Sequence, residues 1–264
     1  MAPEPDPGRS PAPAVTRAAA ILTLLAERGR PVGLADIARA LGVAKSSTLN
    51  LCLALEEAAL VRKTEQGYAL GRATVRLGGA FVREFDVVRE FYRVCAEAPA
   101  LQNELVQIAM LDGTDVLYLA RHEGRAPLRL SASIGDRFPA ALTAVGCALL
   151  ADLDPAEVRQ RFADPAALPR WTDRSVATVD GLAAKLEATR ARGYALDDGE
   201  THPGIVGLAV AIPPRSPADQ PLAVGVSLMT RPSDADRDDV VAALLEARAA
   251  LTAPQLRAGP ASSD

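Results

Sequence analysis

Four side chains that could do acid–base or metal chemistry lie close together late in the chain: Asp197, Asp198, Glu200 and His202. Carboxylates and an imidazole at this spacing can hold a metal ion or transfer protons. However, the chain has only two histidines, and it shows no P-loop, no nucleophile elbow and no histidine pair at metal-ligand spacing. Pro203-Gly204 directly after His202 is typical of a loop. We therefore keep an enzyme as an alternative only, and expect no catalytic residue, metal or cofactor.

A second polar cluster, Lys45-Ser46-Ser47-Thr48, follows a glycine turn at Gly42. The first turn of a helix has unpaired backbone N–H groups. Together with short hydroxyl groups and a cation, these can meet phosphates and base edges in the major groove of DNA. The predicted DNA contacts are Lys45, Ser46, Ser47, Thr48, Leu49, Asn50, Arg62 and Lys63. The alternative is that Ser46 or Ser47 only caps a helix and that the charges form a solvated face.

The elements around this cluster have the order of a winged helix-turn-helix. Apolar residues at helical spacing and turn residues predict helices at about 15–28, 34–41 and 45–59, and a hairpin around Gln66-Gly67. Three helices and a hairpin within residues 15–71, with Gly42 between the second and third helices, favour a DNA-binding domain. Arg62 and Lys63 would lie at the base of the hairpin, beside the flanking DNA backbone.

Composition is compatible with this prediction. The chain has 264 residues, of which 49% are hydrophobic and 4% aromatic, which suits two domains with buried cores. Residues 1–76 contain ten Lys and Arg and seven Asp and Glu, whereas the rest of the chain contains nineteen Lys and Arg and twenty-six Asp and Glu. The excess of positive charge in the first part is compatible with binding to a polyanion. The apolar stretches are too short to span a bilayer and no secretory leader is recognisable, so we expect a cytoplasmic protein without a membrane partner. Cys52, Cys95 and Cys147 are expected to be buried.

Residues 72–86 are amphipathic and contain no proline, which predicts a linker helix that continues into a second domain. Gly78-Gly79 predicts a kink in this helix. Leu77, Phe81 and Phe85 recur four residues apart. This stripe predicts pairing with a second copy of the chain, although the same side chains could pack on their own domain.

Beyond residue 86, strand and helix patterns alternate. Strands are predicted on both sides of Asp112-Gly113 and in PLRLSAS, YALDD, GIVGLAVAIP and PLAVGVSLM, and helices at about 143–151, 155–162, in GLAAKLEATRARG and at 234–251. This order predicts an α+β sensor-like domain over 87–252 with a mostly antiparallel sheet and a cleft. Residues 1–14 and 253–264 are predicted to be disordered tails. The expected fold class is therefore mixed α/β, in two domains.

The order of these motifs resembles the IclR family of bacterial transcription regulators from Val15 to Leu251. The residues that carry the resemblance are LADIARALGVAKSST, GYALG, LGGAFV, LDGTDVLYLAR, LRLSASIGDRFPAALTAVGCALLA and RGYALDDGETHPGIVGLAVAI. The resemblance implies a winged helix-turn-helix, a linker helix and a GAF-like effector-binding domain, assembled as homodimers or as tetramers of two dimers. It also implies that a small metabolite changes the binding of operator DNA. Repressors and activators both occur, and we expect a repressor of a neighbouring catabolic operon.

The recognition helix departs from the family pattern. Ala44 stands where a proline is usual and Asn50 where an arginine is usual, while Leu49 and Leu53 replace residues that are usually polar. Asn50 can pair with adenine but carries no charge for a phosphate. Leu49 either meets a thymine methyl group or is left exposed. A protein- or ligand-sensing module with degenerate DNA binding is therefore a second alternative.

By resemblance, the effector lies between the sheet and the loop before the helix at Thr143. The predicted effector contacts are Leu130, Thr143, Ala144, Val145, Asp197, His202, Ile205, Gly207, Val226 and Leu228. Relatives that bind small polar acids tend to have Cys in place of Gly207, and Ser or Thr in place of Val226 and Leu228. The loss of these polar groups predicts a larger, flatter and more apolar effector, an aromatic compound whose polar groups contact Asp197 or the Thr143 hydroxyl. Alternatively, Val226 and Leu228 point into the core and the pocket lies elsewhere.

Overall fold

The computed structural model of the chain describes residues 10–83, 87–124, 132–216, 219–229 and 233–252. The chain divides into an N-terminal unit, which ends at Phe85, and a C-terminal unit, which begins at Asp86. Within the described ranges, no helix is long and apolar enough to cross a membrane. Because the division falls inside the predicted linker, the two units are described separately below.

The N-terminal unit contains the predicted helices and hairpin. Its described elements are α1 (Pro13–Arg28), α2 (Leu34–Leu41), α3 (Lys45–Glu57), β1 (Val61–Thr64), β2 (Gly67–Leu70) and α4 (Ala73–Arg83). Helix α1 begins at Pro13, before the expected start at Val15 and inside the stretch predicted to be a tail. Proline suits this position because its fixed φ angle is helical and its missing N–H is not needed in the first turn.

A tight turn at Gly42 joins α2 to α3. Gly42 has a φ of 63°, in the left-handed region that favours glycine, and it ends α2. The N–H of Val43 donates to the carbonyl oxygen of Ala38 at 3.0 Å. The three helices share a core that includes Ile21, Leu25, Ile37, Cys52, Leu55 and Tyr68. The predicted helix-turn-helix is thus confirmed.

The hairpin of β1 and β2 is fixed to the segment that precedes α2. The two strands are antiparallel, with Thr64 opposite Gly67. Tyr68 also pairs with Val32, through two backbone hydrogen bonds of 2.9 Å. A Cβ atom at Gly67 would approach the carbonyl oxygen of Val32 to 2.3 Å, so only glycine fits this position. The wing therefore packs directly on the helical core.

The predicted linker is helical on both sides of residues 84–86, which lie outside the described residues. Helix α4 continues through Gly78-Gly79, and α5 (Val87–Glu97) begins the C-terminal unit. Leu77 in α4 is 56% exposed, so it does not pack into the core of its own unit. Phe85, the last residue of the predicted pairing stripe, lies outside the described residues.

The C-terminal unit is built around an antiparallel sheet with the strand order β5-β4-β3-β8-β7-β6. The described elements after α5 are β3 (Leu105–Asp112), β4 (Asp115–His122), β5 (Arg137–Pro139), α6 (Ala144–Ala151), α7 (Pro155–Arg161), a 3-10 helix (Pro165–Ala167), α8 (Val179–Arg192), β6 (Ala195–Asp198), β7 (Val206–Ile212), β8 (Leu222–Leu228) and α9 (Asp234–Thr252). This arrangement confirms the predicted α+β class. Most of the predicted strand PLRLSAS falls in 125–131, outside the described residues, and the described strand that follows β4 is β5.

Helices cover both faces of this sheet, and strand alternation decides which residues meet which helix. On one face, α6 contacts β3, β6, β7 and β8, and α8 packs beside α6. Ala209 and Ala223 share a core with these helices. Helices α5 and α9 contact each other, and α9 covers β7 and β8 from the other face, where Leu208 and Val224 are buried. Every residue of α6 is buried, which explains why this helix is apolar all round.

Candidate functional sites

The outer face of α3 carries the polar cluster that was predicted to contact DNA. Lys45, Ser46 and Ser47 are exposed in the first turn. The N-cap residue is Ala44, and no side chain caps the helix. The alternative in which Ser46 or Ser47 only caps the helix is therefore wrong. Uncapped backbone N–H groups and the Lys45 ammonium make this end of the helix suitable for a phosphate.

Thr48 does not belong to this exposed surface. Its side chain is fully buried, and its hydroxyl donates to the carbonyl oxygen of Ala44 at 3.1 Å. The prediction that Thr48 contacts DNA was wrong. The reason is helical periodicity, since Thr48 lies on the same face as the buried Cys52 and Leu55.

Beyond the first turn, the outer face of α3 presents Leu49, Asn50 and Leu53. Leu49 is 37% exposed and Leu53 is 50% exposed, and the Asn50 side chain is exposed between them. Leu53 was not among the predicted contacts. Its position four residues after Leu49 was the available signal, because residues at this spacing lie on one stripe of a helix.

Two further predicted contacts lie on the hairpin. Arg62 and Lys63 are both exposed on β1. The backbone N–H of Lys63 donates to the carboxylate of Glu56 at 3.3 Å, which ties this strand to the last part of α3. The recognition helix and the two cations therefore belong to the same small domain, as the sequence predicted.

In the C-terminal unit, a cavity of about 150 Å³ lies between the sheet and the N-terminus of α6. Its lining residues are Leu105, Gln107, Tyr118, Ala132, Phe138, Thr143, Ala144, Val145, Asp197, Thr201, His202, Ile205, Gly207, Leu208, Gly225, Val226 and Ser227. This set contains the predicted contacts except Leu228, which does not line the cavity, and Leu130, which lies outside the described residues. The sequence therefore located the cavity, but not all of its walls.

Strand β8 turns other residues to the cavity than those predicted. A Cβ atom at Gly225 would lie 2.6 Å from Cγ1 of Val145 in α6, so Gly225 and Ser227 face the cavity. Successive side chains of a strand point to opposite faces, which directs Val226 and Leu228 to the far side of the sheet. Leu228 was wrongly predicted to line the cavity, whereas Val226 lines it, as predicted, although strand alternation places its side chain on the other face of β8. A resemblance can assign a residue to a strand, but a difference of one position along the strand places the side chain on the opposite face of the sheet.

Other side chains that the sequence did not single out complete the cavity. Gln107 on β3 donates from Nε2 to the carbonyl oxygen of Ala132 at 3.0 Å. Tyr118 on β4 packs edge-to-face against Phe138, with ring centroids 5.7 Å apart. Phe138 also contacts Trp171, at a centroid distance of 5.3 Å. A polar residue within the apolar strand β3 was the signal for Gln107; the aromatic group depends on tertiary packing.

The N-terminus of α6 directs backbone donors at the cavity. The Thr143 hydroxyl accepts a hydrogen bond from the N–H of Gly146 at 3.0 Å and so caps the helix. Within the described part of the chain, the N–H groups of Ala144 and Val145 have no acceptor. Both residues line the cavity. Two unpaired N–H groups at a helix N-terminus form a favourable site for a negatively charged group.

The buried carboxylate of Asp197 also faces the cavity. It accepts hydrogen bonds from the backbone N–H of Glu200, at 2.6 Å, and from the hydroxyl of Thr201. Burial raises the pKa of the Asp197 carboxyl, and the hydrogen bonds from Thr201 and Glu200 partly offset this rise. A hydroxyl group on a ligand would give this carboxylate a further donor.

Gly207 lies where α6 and β6 approach each other closely. A Cβ atom at this position would lie 3.2 Å from Cβ of Ala144 and 3.3 Å from Cβ of Asp197. Both distances are tighter than ordinary van der Waals contact. The absence of a side chain at Gly207 therefore keeps this part of the cavity open.

The four residues considered for catalysis or metal binding do not converge. Strand alternation places Asp197 and Asp198 on opposite sides of β6. The Glu200 carboxylate pairs with Lys185 at 2.5 Å, and His202 is exposed in the loop before β7. Among the described residues, no group of three or more His, Cys, Asp or Glu side chains is arranged to hold a metal ion.

Lys185 of α8 was not predicted to matter, yet it anchors the loop that follows β6. Its ammonium donates to the carbonyl oxygen of Ala141 at 3.0 Å and pairs with Glu200. Burial alone would lower the pKa of Lys185, but the neighbouring Cys147 and Glu200 hold it above its ordinary value. Glu200 also accepts a hydrogen bond from the N–H of Val176 at 3.1 Å. Through Glu200, the loop that follows Asp197 is thereby held by Lys185 of α8 and by the backbone at Val176.

Comparison with known proteins assigns both units. The IclR helix-turn-helix domain matches residues 14–65, and the C-terminal domain of bacterial transcriptional regulator IclR matches residues 79–253. The chain belongs to the IclR family of bacterial transcriptional regulators. The glycerol operon regulatory protein of Streptomyces coelicolor is 33% identical to this IclR-family regulator over 198 residues, which cover 74% of this chain and 77% of that protein.

Solved structures agree with this assignment. An IclR transcriptional regulator from Alicyclobacillus acidocaldarius superposes with a TM-score of 0.79 at 26% identity, covering 91% of this chain and 97% of that one. The Agrobacterium tumefaciens repressor BlcR gives a TM-score of 0.56 at 30% identity, covering 91% and 95%. This IclR-family regulator therefore has a DNA-binding helix-turn-helix and an effector-binding C-terminal domain. It is a transcription regulator and not an enzyme.

Proposed function

We propose that this IclR-family regulator represses a neighbouring catabolic operon, and that a monocyclic aromatic acid releases it from its operator. The cavity beside α6 carries this proposal, because it combines aromatic walls with unpaired backbone donors in the same chain as an exposed recognition helix. The Agrobacterium relative is named a repressor, and the Streptomyces relative an operon regulatory protein. Both names support the proposed role.

On the DNA side, we assign the contacts to the outer face of α3 and to the hairpin. The assigned residues are Lys45, Ser46, Ser47, Leu49, Asn50, Arg62 and Lys63, all of which are exposed. The cations Lys45, Arg62 and Lys63 are suited to phosphates, which position the domain on any duplex. Asn50 is suited to the edge of an adenine in the major groove, which specifies sequence.

The size and walls of the cavity favour a single aromatic ring as the effector. Its volume is about 150 Å³, and an engineered cavity of about this volume in another protein holds benzene. Tyr118 and Phe138 present aromatic surface to it, and aromatic rings stack favourably edge-to-face or offset. A two-carbon acid would leave most of this surface uncovered.

The polar groups of the cavity favour an acidic ring with a second polar substituent. The unpaired N–H groups of Ala144 and Val145 would bind a carboxylate. Asp197 would accept a hydrogen bond from a hydroxyl group, which offsets part of the cost of burying its charge. A hydroxybenzoate has both groups on one ring.

Isothermal titration of the full-length protein with 4-hydroxybenzoate and with glyoxylate tests this assignment. We expect the aromatic acid to bind at least about tenfold more tightly, because only it covers the apolar wall. Tighter binding of glyoxylate would contradict the proposal. A thermal-shift assay provides a second measurement, since a compound that binds only the folded protein raises the melting temperature.

Two variants locate the binding site. Phe138→Ala should weaken 4-hydroxybenzoate binding, whereas Tyr92→Ala, which removes an exposed ring from α5 of the same unit, should not. Gly207→Ala should also weaken binding, because its Cβ presses on Ala144 and Asp197. Equal affinities for all three variants and the wild type would place the ligand elsewhere.

We also propose that the regulator is a homo-oligomer, either a dimer or a tetramer of two dimers, paired through α4. Leu77 and Phe81 are 56% and 41% exposed on this helix, and residues four positions apart lie on the same face. Large apolar side chains exposed together on a helix favour contact with another surface. Sedimentation analysis should show an oligomer for the wild type and a smaller species for Leu77→Asp. A wild-type monomer at micromolar concentration would contradict this proposal.

A further inference from the structure

We infer that the recognition helix reads an operator half-site of A·T pairs, with Leu49 and Leu53 each packed against a thymine methyl group. The inference rests on the proposed DNA-binding function and adds the base composition that the helix selects. It concerns the part of α3 beyond the first turn, where the sequence left open whether Leu49 has a partner at all.

The first observation is the exposure of two leucines on one stripe of α3. Leu49 and Leu53 are 37% and 50% exposed, while the opposite face of the same helix buries Thr48, Cys52 and Leu55. The two leucines are four residues apart and are therefore neighbours on the helix surface. They form a small apolar strip that is not part of the core of the N-terminal unit.

The second observation is the chemistry that α3 lacks. Its sequence is KSSTLNLCLALEE, so Lys45 at the first position is its only cation. The commonest specific base contact is Arg or Lys to guanine, and no residue of α3 beyond the first turn can make it. Asn50 instead suits the N6 and N7 edge of adenine, and leucine suits the C5 methyl of thymine. Both kinds of contact select A·T pairs.

The flanking charges identify DNA as the occupant of this strip. Lys45 precedes the leucines on α3, and Arg62 and Lys63 are exposed on β1 of the same domain. A duplex is the partner that brings phosphates to these cations and methyl groups to the strip on the same domain. A second copy of this chain would meet the strip with the same cations on its own surface, and like charges would oppose that contact.

The spacing of Leu49 and Leu53 on α3 also predicts the spacing of the two contacted thymines. Side chains four residues apart on a helix are about 5–6 Å apart at Cβ, and successive base pairs are about 3.4 Å apart along the duplex. The two leucines therefore cannot contact the same thymine. The two contacted thymines should lie about two base pairs apart in each half-site.

Replacing thymine by deoxyuridine tests this contact, because it removes only the C5 methyl group and keeps the base pairing. The duplex is the region upstream of the regulator's own gene, narrowed by footprinting and substituted one thymine at a time. Wild-type affinity should fall about fourfold at each contacted thymine, the value expected for one buried methyl group. Other thymines of the half-site should show no change.

Variants assign each methyl group to a leucine. Leu49→Ala should remove the sensitivity to deoxyuridine at one position and Leu53→Ala at the other, and both substitutions keep a good helix former at an exposed site. Val15→Ala, an exposed valine of α1, is the matched control and should keep both sensitivities.

The outcomes separate this inference from the proposed function. Preference for the upstream duplex without any effect of deoxyuridine would overturn the inference and leave the function standing. No preference for that duplex over a scrambled one would overturn both. A change of oligomeric state in Leu49→Ala, with deoxyuridine sensitivity absent in the wild type, would assign the strip to a protein contact and also overturn the inference.

Discussion

The two functional surfaces of this regulator present their side chains in opposite ways. On α3, the candidate contacts lie on an exposed face that supports none of the core, as with Lys45 and Leu49. In the C-terminal unit, the cavity is assembled from strands, the start of α6 and the loop after β6. Its carboxylate, Asp197, is buried, and so is the ion pair of Lys185 and Glu200 that fixes this loop. Changes on this outer face of α3 should therefore alter binding alone, whereas changes around the cavity should alter binding and stability together.

The largest effect should come from Lys185→Met. Its side chain and that of Glu200 are only 13% and 12% exposed, so the substitution leaves a buried carboxylate without its cation. Breaking a buried pair in this way costs about 3 kcal/mol of unfolding free energy. Trp171 is the only tryptophan of the chain and packs on Phe138, so its fluorescence during urea denaturation reports the C-terminal unit.

Two controls belong to this experiment. Arg159→Met removes an ion pair with Asp180 in which both side chains are exposed, and it should cost less than about 1 kcal/mol. Adding Glu200→Gln to Lys185→Met should restore much of the lost stability, because the uncompensated charge is gone. Equal losses for Lys185→Met and Arg159→Met would show that the buried pair does not hold the loop behind the cavity.

Lys45→Ala should show the contrasting behaviour of the exposed face. We expect binding to all duplexes to weaken about eightfold at 0.1 M salt and the slope of log K against log salt to fall by about one, because one phosphate contact is lost. The unfolding free energy should stay unchanged. Arg192→Ala, at a cation stacked on Tyr194 in the C-terminal unit, is the matched control. An unchanged salt slope would remove Lys45 from the DNA surface.

Asp197→Asn should change the pH dependence of stability. Because burial raises the pKa of Asp197, the folded protein holds this proton more tightly than the unfolded chain does. Stability contributed by the protonated carboxyl is therefore lost as pH rises from the ordinary value of 3.8 through the raised pKa. Across this pH window, the unfolding free energy of the wild type should fall relative to that of the variant. Above the window, the difference between the two should stay constant. Parallel curves would contradict the account.

Gly78→Ala, alone or with Gly79→Ala, should give only a small gain in stability. Apart from the neighbouring backbone of α4 itself, no atom of the described residues lies within 4 Å of a Cβ placed at Gly78, so alanine fits and should stabilise α4 by up to about 1 kcal/mol. If these glycines form a hinge between the two surfaces, the effector should change DNA binding less in the variant, at unchanged effector affinity. Undiminished coupling in an anisotropy titration would reject the hinge.

Sequence periodicity was sufficient for the exposed region and for the class of the whole fold. The spacing of Ile37, Gly42 and Cys52 predicted the helix-turn-helix, and the structure places these residues in the core and at the turn. The polarity of Thr48 suggests a DNA contact, but its position on the same stripe as Cys52 and Leu55 places it in the core. Proline-rich composition predicts a tail over residues 1–14, but proline also suits the first turn of a helix, and α1 begins at Pro13.

The cavity was harder to predict because it depends on which face of a strand each residue occupies. Thr143, Asp197 and Val226, which the resemblance implied, line the cavity, but Leu228 does not. No local sequence pattern predicts that Phe138, on the short edge strand β5, contacts Tyr118 on the neighbouring strand β4. Lys185 was missed for the same reason, since its partner Glu200 lies in a different element and only the tertiary fold joins them.

The most direct test of the account is the binding of a labelled duplex from the upstream region by the full-length protein, with and without 4-hydroxybenzoate. Fluorescence anisotropy at physiological salt should show tighter binding of this duplex than of a scrambled one, and the aromatic acid should weaken it. The acid should have no effect on Gly207→Ala at the same concentration, because that variant narrows the cavity. Equal affinity for the upstream and scrambled duplexes, in the presence and absence of the acid, would contradict the account.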